Sequence, residues 1–341
     1  MWNSVLGVIS ADLAIDLGSS TTRIFASGRG VALIEPSIVA IAEDRHGRRR
    51  ILAVGSDALR MEGRTPRDIE VIRPIQDGSV ANFEVLEAML RHLMVAVQGR
   101  RLWVGPRAVI AVPYGTTEVE RRAVRESAEA SGAREVMLVE QPLVAAMGAG
   151  LPTDEARGHM ILDAGAGTST VSVISLGGVV YSRTIKVGGE HMDLAIQQHV
   201  AERHGIAISR AMAEEARIAI GSCFPNEARS THLIRGRHIA TGYPRAAELE
   251  STEVHAAMQE PINLIGEALL ATLERTPPDL AADIADTGVV LVGGLANLPG
   301  IDRALCDRAG LPIIVAEEPT LAVVHGAAMM VGSPAEARRS A

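Results

Sequence analysis

The chain has 341 residues, 47% apolar and 22% charged, which is too much for one ordinary core and enough for two compact domains. A net charge of −8 without a basic tail argues against a nucleic-acid binder, and an aromatic content of 2% leaves the core to Ala, Val, Leu, Ile and Met. No run of about 18 apolar residues is present, so no membrane-crossing segment is expected.

Cys223 and Cys306 lie far apart without CxxC or His-rich context and read as reduced thiols of a cytosolic protein. The first residues carry Trp2, Val5, Leu6, Val8 and Ile9 but no basic n-region and no small-residue cleavage site. They are expected either to pack on the body or to touch a membrane surface.

From residue 12 the chain alternates short apolar runs with turns. Leu13-Ala14-Ile15, Thr22–Ala26 and Val31–Ile34 read as a meander, and Ile38–Ile41 as a further strand. Residues 43–70 are charged and turn-rich, a small surface insertion with a helical segment near Ser56–Met61. Arg73–Gly78 reads as a loop. In 84–98, Val85, Met89, Leu90, Leu93, Met94 and Val97 fall on one helical face. The basic loop 99–107 holds Leu102-Trp103, which fits a packed loop or a membrane-dipping tip.

Ala108–Pro113 is a buried strand, and Thr116–Glu120 opens a capped amphipathic helix that ends at Gly132. Val136–Val139 and an Ala-rich helix from Glu140-Gln141-Pro142 complete a βαβ unit. The second half repeats the plan. Met160–Leu162, Thr170–Ile174 and Gly178–Ser182 form another meander, followed by helices at 190–204, 212–221 and 253–274. Residues 224–250 are a second surface insertion. Gly288–Gly294 is a buried strand running into a glycine turn, Ile313–Val315 is a strand, and a helix at 321–331 closes the fold.

Two stretches carry the chemistry. Ile15-Asp16-Leu17-Gly18-Ser19-Ser20-Thr21-Thr22 returns about 150 residues later as Leu162-Asp163-Ala164-Gly165-Ala166-Gly167-Thr168-Ser169-Thr170. Each is an apolar strand, an acid, a glycine turn and a set of hydroxyls. Such turns can aim backbone N–H groups at phosphates. Carboxylates there make sense with a divalent cation, and Mg²⁺ held through water suits Asp16 and Asp163. Gly293-Gly294 allows close backbone approach to a ligand. Glu214 and Arg217, three apart on one helical face, are placed to hydrogen-bond a ribose and cover a base. Walker A, GxGxxG, nucleophile-elbow and HExxH motifs are all absent.

Over roughly residues 7–332 the chain resembles the actin-like ATPase superfamily and, within it, the bacterial MreB proteins. The carriers are Asp-Leu-Ala-Ile-Asp-Leu-Gly at 12–18, Glu-Pro-Ser-Ile-Val-Ala at 35–40, Gly-Arg-Thr-Pro at 63–66 and Ile-Arg-Pro-Ile-Gln-Asp-Gly at 72–78. Glu-Val-Glu-Arg-Arg-Ala at 118–123, Gly-Ala-Gly-Leu-Pro at 148–152, 173–183, Val-Gly-Gly at 187–189 and 277–286 complete the set.

The resemblance implies an α/β, actin-like ATPase fold: two duplicated α/β domains, each with a small inserted subdomain, and nucleotide in the cleft between them. The first large domain is expected at 10–32, 73–150 and 316–332, with its insertion at 33–72. The second is expected at 151–188 and 252–315, with its insertion at 189–251. Residues 1–9 form a membrane-touching or packed segment, and 333–341 a loose tail.

It also implies ATP and Mg²⁺ as cofactors, with polymerisation into filaments at the inner face of the cytoplasmic membrane. There the filaments would organise wall growth and rod shape with membrane proteins of the elongation complex. Asp16, Gly18, Ser19, Ser20, Thr21 and Thr22 match the first phosphate loop, and Asp163, Gly165, Ala166, Gly167 and Thr168 the second, with Thr168 positioning water. Gly189, Glu214, Arg217, Gly293, Gly294 and Leu295 complete the nucleotide set, and Trp2, Leu6, Leu102 and Trp103 match membrane contacts.

Departures cluster at the phosphates. The first loop reads Gly-Ser-Ser-Thr-Thr where the family has Gly-Thr-Ala-Asn-Thr. The second reads Asp-Ala-Gly-Ala-Gly-Thr-Ser-Thr in place of Asp-Ile-Gly-Gly-Gly-Thr-Thr-Glu. Ala166 would clash if its position needs positive φ. Leu295 replaces a glycine, and Gln141 stands where MreB has the Glu that activates water. A slow ATPase is therefore expected; the alternative is a non-catalytic nucleotide-binding scaffold that copolymerises with or regulates another bacterial actin filament.

Overall fold

The computed structural model describes residues 11–43, 49–98, 105–225 and 230–331. The chain forms two compact units: one runs up to Pro152 and resumes at Leu321, and the other is Thr153–Thr320.

The first unit is built on a five-stranded sheet of β1 (Leu13–Leu17), β2 (Thr21–Ala26), β3 (Gly30–Pro36), β9 (Arg107–Val112) and β10 (Glu135–Glu140). Its order is β10-β9-β1-β2-β3. The β1–β2–β3 part is an antiparallel meander, while β9 and β10 join β1 in parallel, as strands returning through helical crossovers must. A small sheet of β4 (Val39–Glu43), β5 (Arg49–Val54) and β6 (Ile69–Ile72) and the short helix α1 (Ser56–Leu59) occupy the region read as a turn-rich insertion. Strand β4 overlaps the expected strand Ile38–Ile41, whereas β5 escapes sequence detection because it keeps its first four residues exposed and shows no inward alternation.

The loop expected at 73–78 is a two-strand hairpin, β7 (Ile75–Gln76) and β8 (Ser79–Val80). Asp77 and Gly78 sit at φ 48° and 75°, the type I′ geometry for which Asp-Gly is a strong signal. Helix α2 (Phe83–Gln98) buries Val85, Leu86, Met89, Leu90, Leu93, Met94 and Val97 against β1, β2 and β9. Helix α3 (Glu118–Ala130) starts with a full capping box between Thr117 and Glu120. Helix α4 (Gln141–Gly148) follows β10 directly, with Pro142 in its first turn. It crosses the helix Ala322–Val331 backbone to backbone: a side chain on Gly148 would run into the Ala322 carbonyl, and one on Gly326 into that of Val144.

The second unit repeats the plan, with β11 (His159–Ala164), β12 (Ser169–Ser175), β13 (Gly178–Ile185), β17 (Val289–Val292) and β18 (Ile313–Val315) in the order β13-β12-β11-β17-β18. Again three strands form an antiparallel meander and two add in parallel. Helices α5 (Gly189–His204) and α6 (Arg210–Ile220) precede a three-stranded sheet of β14 (Ile206–Ala207), β15 (Thr231–His238) and β16 (Pro244–Glu250). Helix α7 (Ser251–Leu273) runs 23 residues.

Two further helices, α8 (Pro278–Thr287) and α9 (Ile301–Ala309), lie where the sequence reading placed none. Pro277-Pro278 ends one helix and starts the next, since proline at a first helical position loses no bond. The core is aliphatic, as the scarcity of aromatics requires. Cys223 is buried in it, and burial pushes its thiol up to about 12, which keeps it unreactive. Among the described residues no helix is long and apolar enough to cross a membrane.

Candidate functional site

In each unit the two glycine-rich stretches fall at the carboxyl edge of the parallel strands, where open α/β sheets place ligands. In the first unit Asp16 is in register with Ala111 of β9, and Ala111 with Val139 of β10. The first turn and Gln141, the half-buried first residue of α4, therefore leave the same edge. In the second, Asp163 is in register with Val292, so the 165–168 turn and Gly293-Gly294 emerge side by side.

The first turn is pinned by side-chain hydroxyls. Ser37 Oγ donates to the Gly18 carbonyl at 2.6 Å and pairs with Thr22 Oγ1 at 2.8 Å, while its N–H reaches the Ser20 carbonyl at 2.9 Å. Thr22 is fully buried, so its hydroxyl serves this anchor. Ser19 Oγ accepts from the Gly78 N–H at 3.3 Å, which ties the β7–β8 hairpin to the turn. Ser20 and Thr21 are half-buried at the tip. Gly18 is required for space rather than φ, because a methyl there would stand 2.7 Å from the Thr21 carbonyl oxygen.

The second turn is pinned by backbone. Gly165 N–H closes on the Thr168 carbonyl at 2.9 Å. The first two amides of α5 are spent on the turn: Gly189 donates to Gly165 at 3.1 Å and Glu190 to Ala166 at 2.8 Å. Ser169 Oγ donates to the Val187 carbonyl at 2.7 Å. Ala166 does not occupy the left-handed region; among the described residues the non-glycines there are Asp77 and Leu176. The methyl group at 166 thus meets no backbone strain, and the clash considered from sequence does not arise.

Gly293 has φ 89°, and a side chain on it would meet the Ala164 carbonyl and Asp163 Oδ1, the latter at 2.6 Å. Gly294 faces open space and starts a 3₁₀ turn, Gly294–Asn297. Leu295 is buried in the core of this unit. A methyl on Gly189 would be 3.4 Å from Arg217 Nη2 and 3.5 Å from Leu295 Cδ2, so Gly189, Arg217 and Leu295 meet at one point.

Arg217 is chiefly committed to Asp193 of α5, through Nε–Oδ1 at 2.6 Å and Nη2–Oδ2 at 3.4 Å. Glu214 stands 3.8 Å from Nη2 and is half-buried. Burial raises the Asp193 carboxyl above its usual range even though the Arg217 hydrogen bond pulls it down. This fork is better suited to Arg than to Lys, because a planar guanidinium meets both carboxylate oxygens.

Among the described residues no three His, Cys, Asp or Glu side chains converge as a metal cage. Asp16 and Asp163 are each buried at a strand end. A divalent ion served by so few carboxylates keeps most of its water, which fits Mg²⁺. The residues present also suit a polyphosphate: glycine turns that admit close approach, hydroxyls at one tip and a glycine pair beside the other. Ser37, Asp77-Gly78, Arg23 and Asp193 had no assigned role from sequence; the Asp-Gly pair was the one legible signal. Trp2, Leu6, Leu102 and Trp103 lie outside the described residues.

Comparison with known proteins places these features in a lineage. The family model described as MreB/Mbl protein matches residues 10–339. Cell shape-determining protein MreB of Escherichia coli (strain K12) is 47% identical over 322 residues, covering 94% of this chain and 93% of the relative. The crystal structure of MreB5 of Spiroplasma citri bound to ADP superposes with a TM-score of 0.90 at 31% identity, covering 97% of this chain and 99% of that one. Its AMPPNP-bound form gives 0.88 at 32%, covering 94% and 96%. The fold is the actin-like fold, and the chain belongs to the MreB/Mbl family.

Proposed function

We propose that this chain is an actin-like protein that binds ATP with Mg²⁺, hydrolyses it slowly, and polymerises into filaments at the inner face of the cytoplasmic membrane. The filaments organise wall synthesis and rod shape together with membrane proteins of the elongation complex. The observation that carries the reading is the pair of glycine turns at the carboxyl edges of two sheets of the same topology. It is supported by family membership, by the name of the E. coli relative and by the nucleotides bound to MreB5.

Ser19, Ser20, Thr21 and the amides of the 18–22 turn hold phosphate oxygens, as do Gly165, Ala166, Gly167 and Thr168. Gly293 and Gly294 give the adenosine close approach, Glu214 takes the ribose, and Arg217, held by Asp193, covers the base beside Gly189 and Leu295. Asp16 and Asp163 would hold Mg²⁺ through water, and the ion would supply charge neutralisation for the phosphates. Thr168 and Gln141 orient the attacking water. A glutamine orients it without taking its proton, which lowers the rate without removing positioning and electrostatics. Trp2, Leu6, Leu102 and Trp103 supply the membrane contact.

Gln141 also favours the second reading, a nucleotide-binding scaffold without turnover. Sedimentation with ATP, ADP or no nucleotide, with phosphate release followed in parallel, separates them. ATP-dependent pelleting with slow release supports the first; pelleting without release supports the scaffold; no pelleting in any state overturns the first.

A further inference from the structure

The three-stranded sheet of the second unit ends in a hairpin whose charge is sorted along its length. At the start of β15, Thr231 is in register with Glu250 and Leu233 with Glu248; towards the tip, Arg235 faces Ala246, Gly236 faces Arg245 and Arg237 faces Pro244. Successive residues of a strand point to opposite faces, so Arg235 and Arg237 take one face of the ribbon and Arg245 the other. All three arginines are exposed, and among the described residues none of their side chains has an ion-pair or hydrogen-bond partner. The acid that α6 brings to this sheet, Glu215, is taken by His232 at 3.6 Å. Helix α5 adds one exposed residue of each sign in its last turn, Glu202 and Arg203.

The tip beyond these arginines is hydrogen-bonded to itself and carries apolar side chains into solvent. Residues 239–246 are all exposed, Ile239 at 51% and Tyr243 at 73%. The Gly242 N–H donates to the His238 carbonyl and the His238 N–H to the Tyr243 carbonyl, each at 2.8 Å, and the Thr241 N–H reaches His238 Nδ1 at 3.2 Å. The Ile239 N–H closes on the carbonyl of Gly205, at the end of α5, at 2.9 Å. An apolar tip collared by positive charge on both faces fits a soft anionic surface, where the tip enters the headgroup layer and arginines on every side meet phosphates. A folded protein partner would meet one face of the ribbon and leave the charge of the other in water. We infer that the β15–β16 hairpin is a membrane contact, in which Ile239 and Tyr243 insert at headgroup depth and Arg235, Arg237 and Arg245 bind anionic lipid. A chain of net charge −8 needs such a local patch to approach an anionic bilayer. The inference rests on the membrane reading above only for the presence of a bilayer, since its residues are separate from Trp2, Leu6, Leu102 and Trp103.

The test is flotation of the full chain with vesicles of phosphatidylcholine alone or with equal parts of phosphatidylglycerol. Wild type is expected to float with the anionic vesicles. Combined Arg235→Gln, Arg237→Gln and Arg245→Gln should weaken that partitioning by about 100-fold, from about 5-fold per arginine near an anionic surface. Combined Ile239→Ser and Tyr243→Ser should weaken it by about 10-fold or more. A direct readout is Tyr243→Trp, made the sole tryptophan by Trp2→Phe and Trp103→Phe, whose fluorescence is expected to be quenched by brominated lipid.

An arginine variant that floats as wild type does, or Tyr243→Trp fluorescence that brominated lipid leaves unchanged while the chain floats, overturns the inference and leaves the membrane reading intact. Loss of ATP-dependent pelleting by the arginine variant without vesicles assigns the hairpin to contacts between copies of the chain and overturns it as well. Wild type that floats with neither vesicle overturns the inference together with the membrane reading.

Discussion

The 18–22 turn and the 165–168 turn have the same backbone plan and are held by different chemistry. The first is fixed by hydroxyls from a neighbouring strand and a hairpin: Ser37 on Gly18, Thr22 on Ser37, Ser19 on Gly78. The second is fixed by the first amides of α5 and backed by Arg217 on Asp193. The residues in register with the two aspartates differ as well, Arg23 across from Asp16 and Thr170 across from Asp163. A duplicated topology keeps the position of a turn, while the residues that pin it drift apart. Side-chain pins can be deleted singly; a backbone-pinned turn fails only when the helix behind it moves or a glycine gains a side chain.

The largest effect should therefore come from behind the second turn. Arg217→Ala leaves Asp193 buried and unpaired, an expected loss of about 3–5 kcal/mol in denaturant unfolding. Because burial already raises the Asp193 carboxyl, the folded state takes up its proton more readily than the unfolded one. Loss of Arg217 raises it further, so the deficit is greatest above the variant's folded value and shrinks as pH falls through it. A deficit independent of pH would break the assignment.

Gly293→Ala comes next, at about 2–4 kcal/mol, since φ 89° and the contact with Asp163 Oδ1 act together. Gly18→Ala faces crowding alone and should cost less, with both variants losing nucleotide affinity in a fluorescence titration. Equal stability losses would contradict the stated difference in cause. Ser37→Ala removes two hydrogen bonds of the first turn and should cost about 1–3 kcal/mol with little effect on the thermal stability of the second unit.

The smallest effect concerns Glu253. Burial works to raise its carboxyl, but the Glu250 N–H and His204 outweigh it, so it lies below the ordinary value of 4.5. That stability is present above pH 4.5 and is lost as pH falls through the folded value. Glu253→Gln should flatten the acid limb of unfolding by about 1 kcal/mol or less; an unchanged limb would remove Glu253 from the account.

Much of this was legible in the sequence. The apolar stripe of α2 and the repeated Asp-x-Gly turns follow from spacing and turn chemistry, which are local. What stayed hidden is cross-chain. Thr22 reads as a ligand hydroxyl until Ser37 is seen to bond it, and Arg217 reads as a ligand contact alone until Asp193 is found buried beneath it. Helix α9 was legible in principle, since Ile301, Ala304 and Leu305 give the i, i+3, i+4 face between Gly300 and Gly310, but so short a stripe does not stand out. The concern over Ala166 could be resolved only by backbone angles.

Under the proposed function each turn contributes to nucleotide binding. Equilibrium titration of the chain with fluorescent ADP in Mg²⁺ tests it most directly. The expected result is saturable binding that Gly18→Ala and Gly293→Ala each abolish. Either variant binding as wild type does would contradict it.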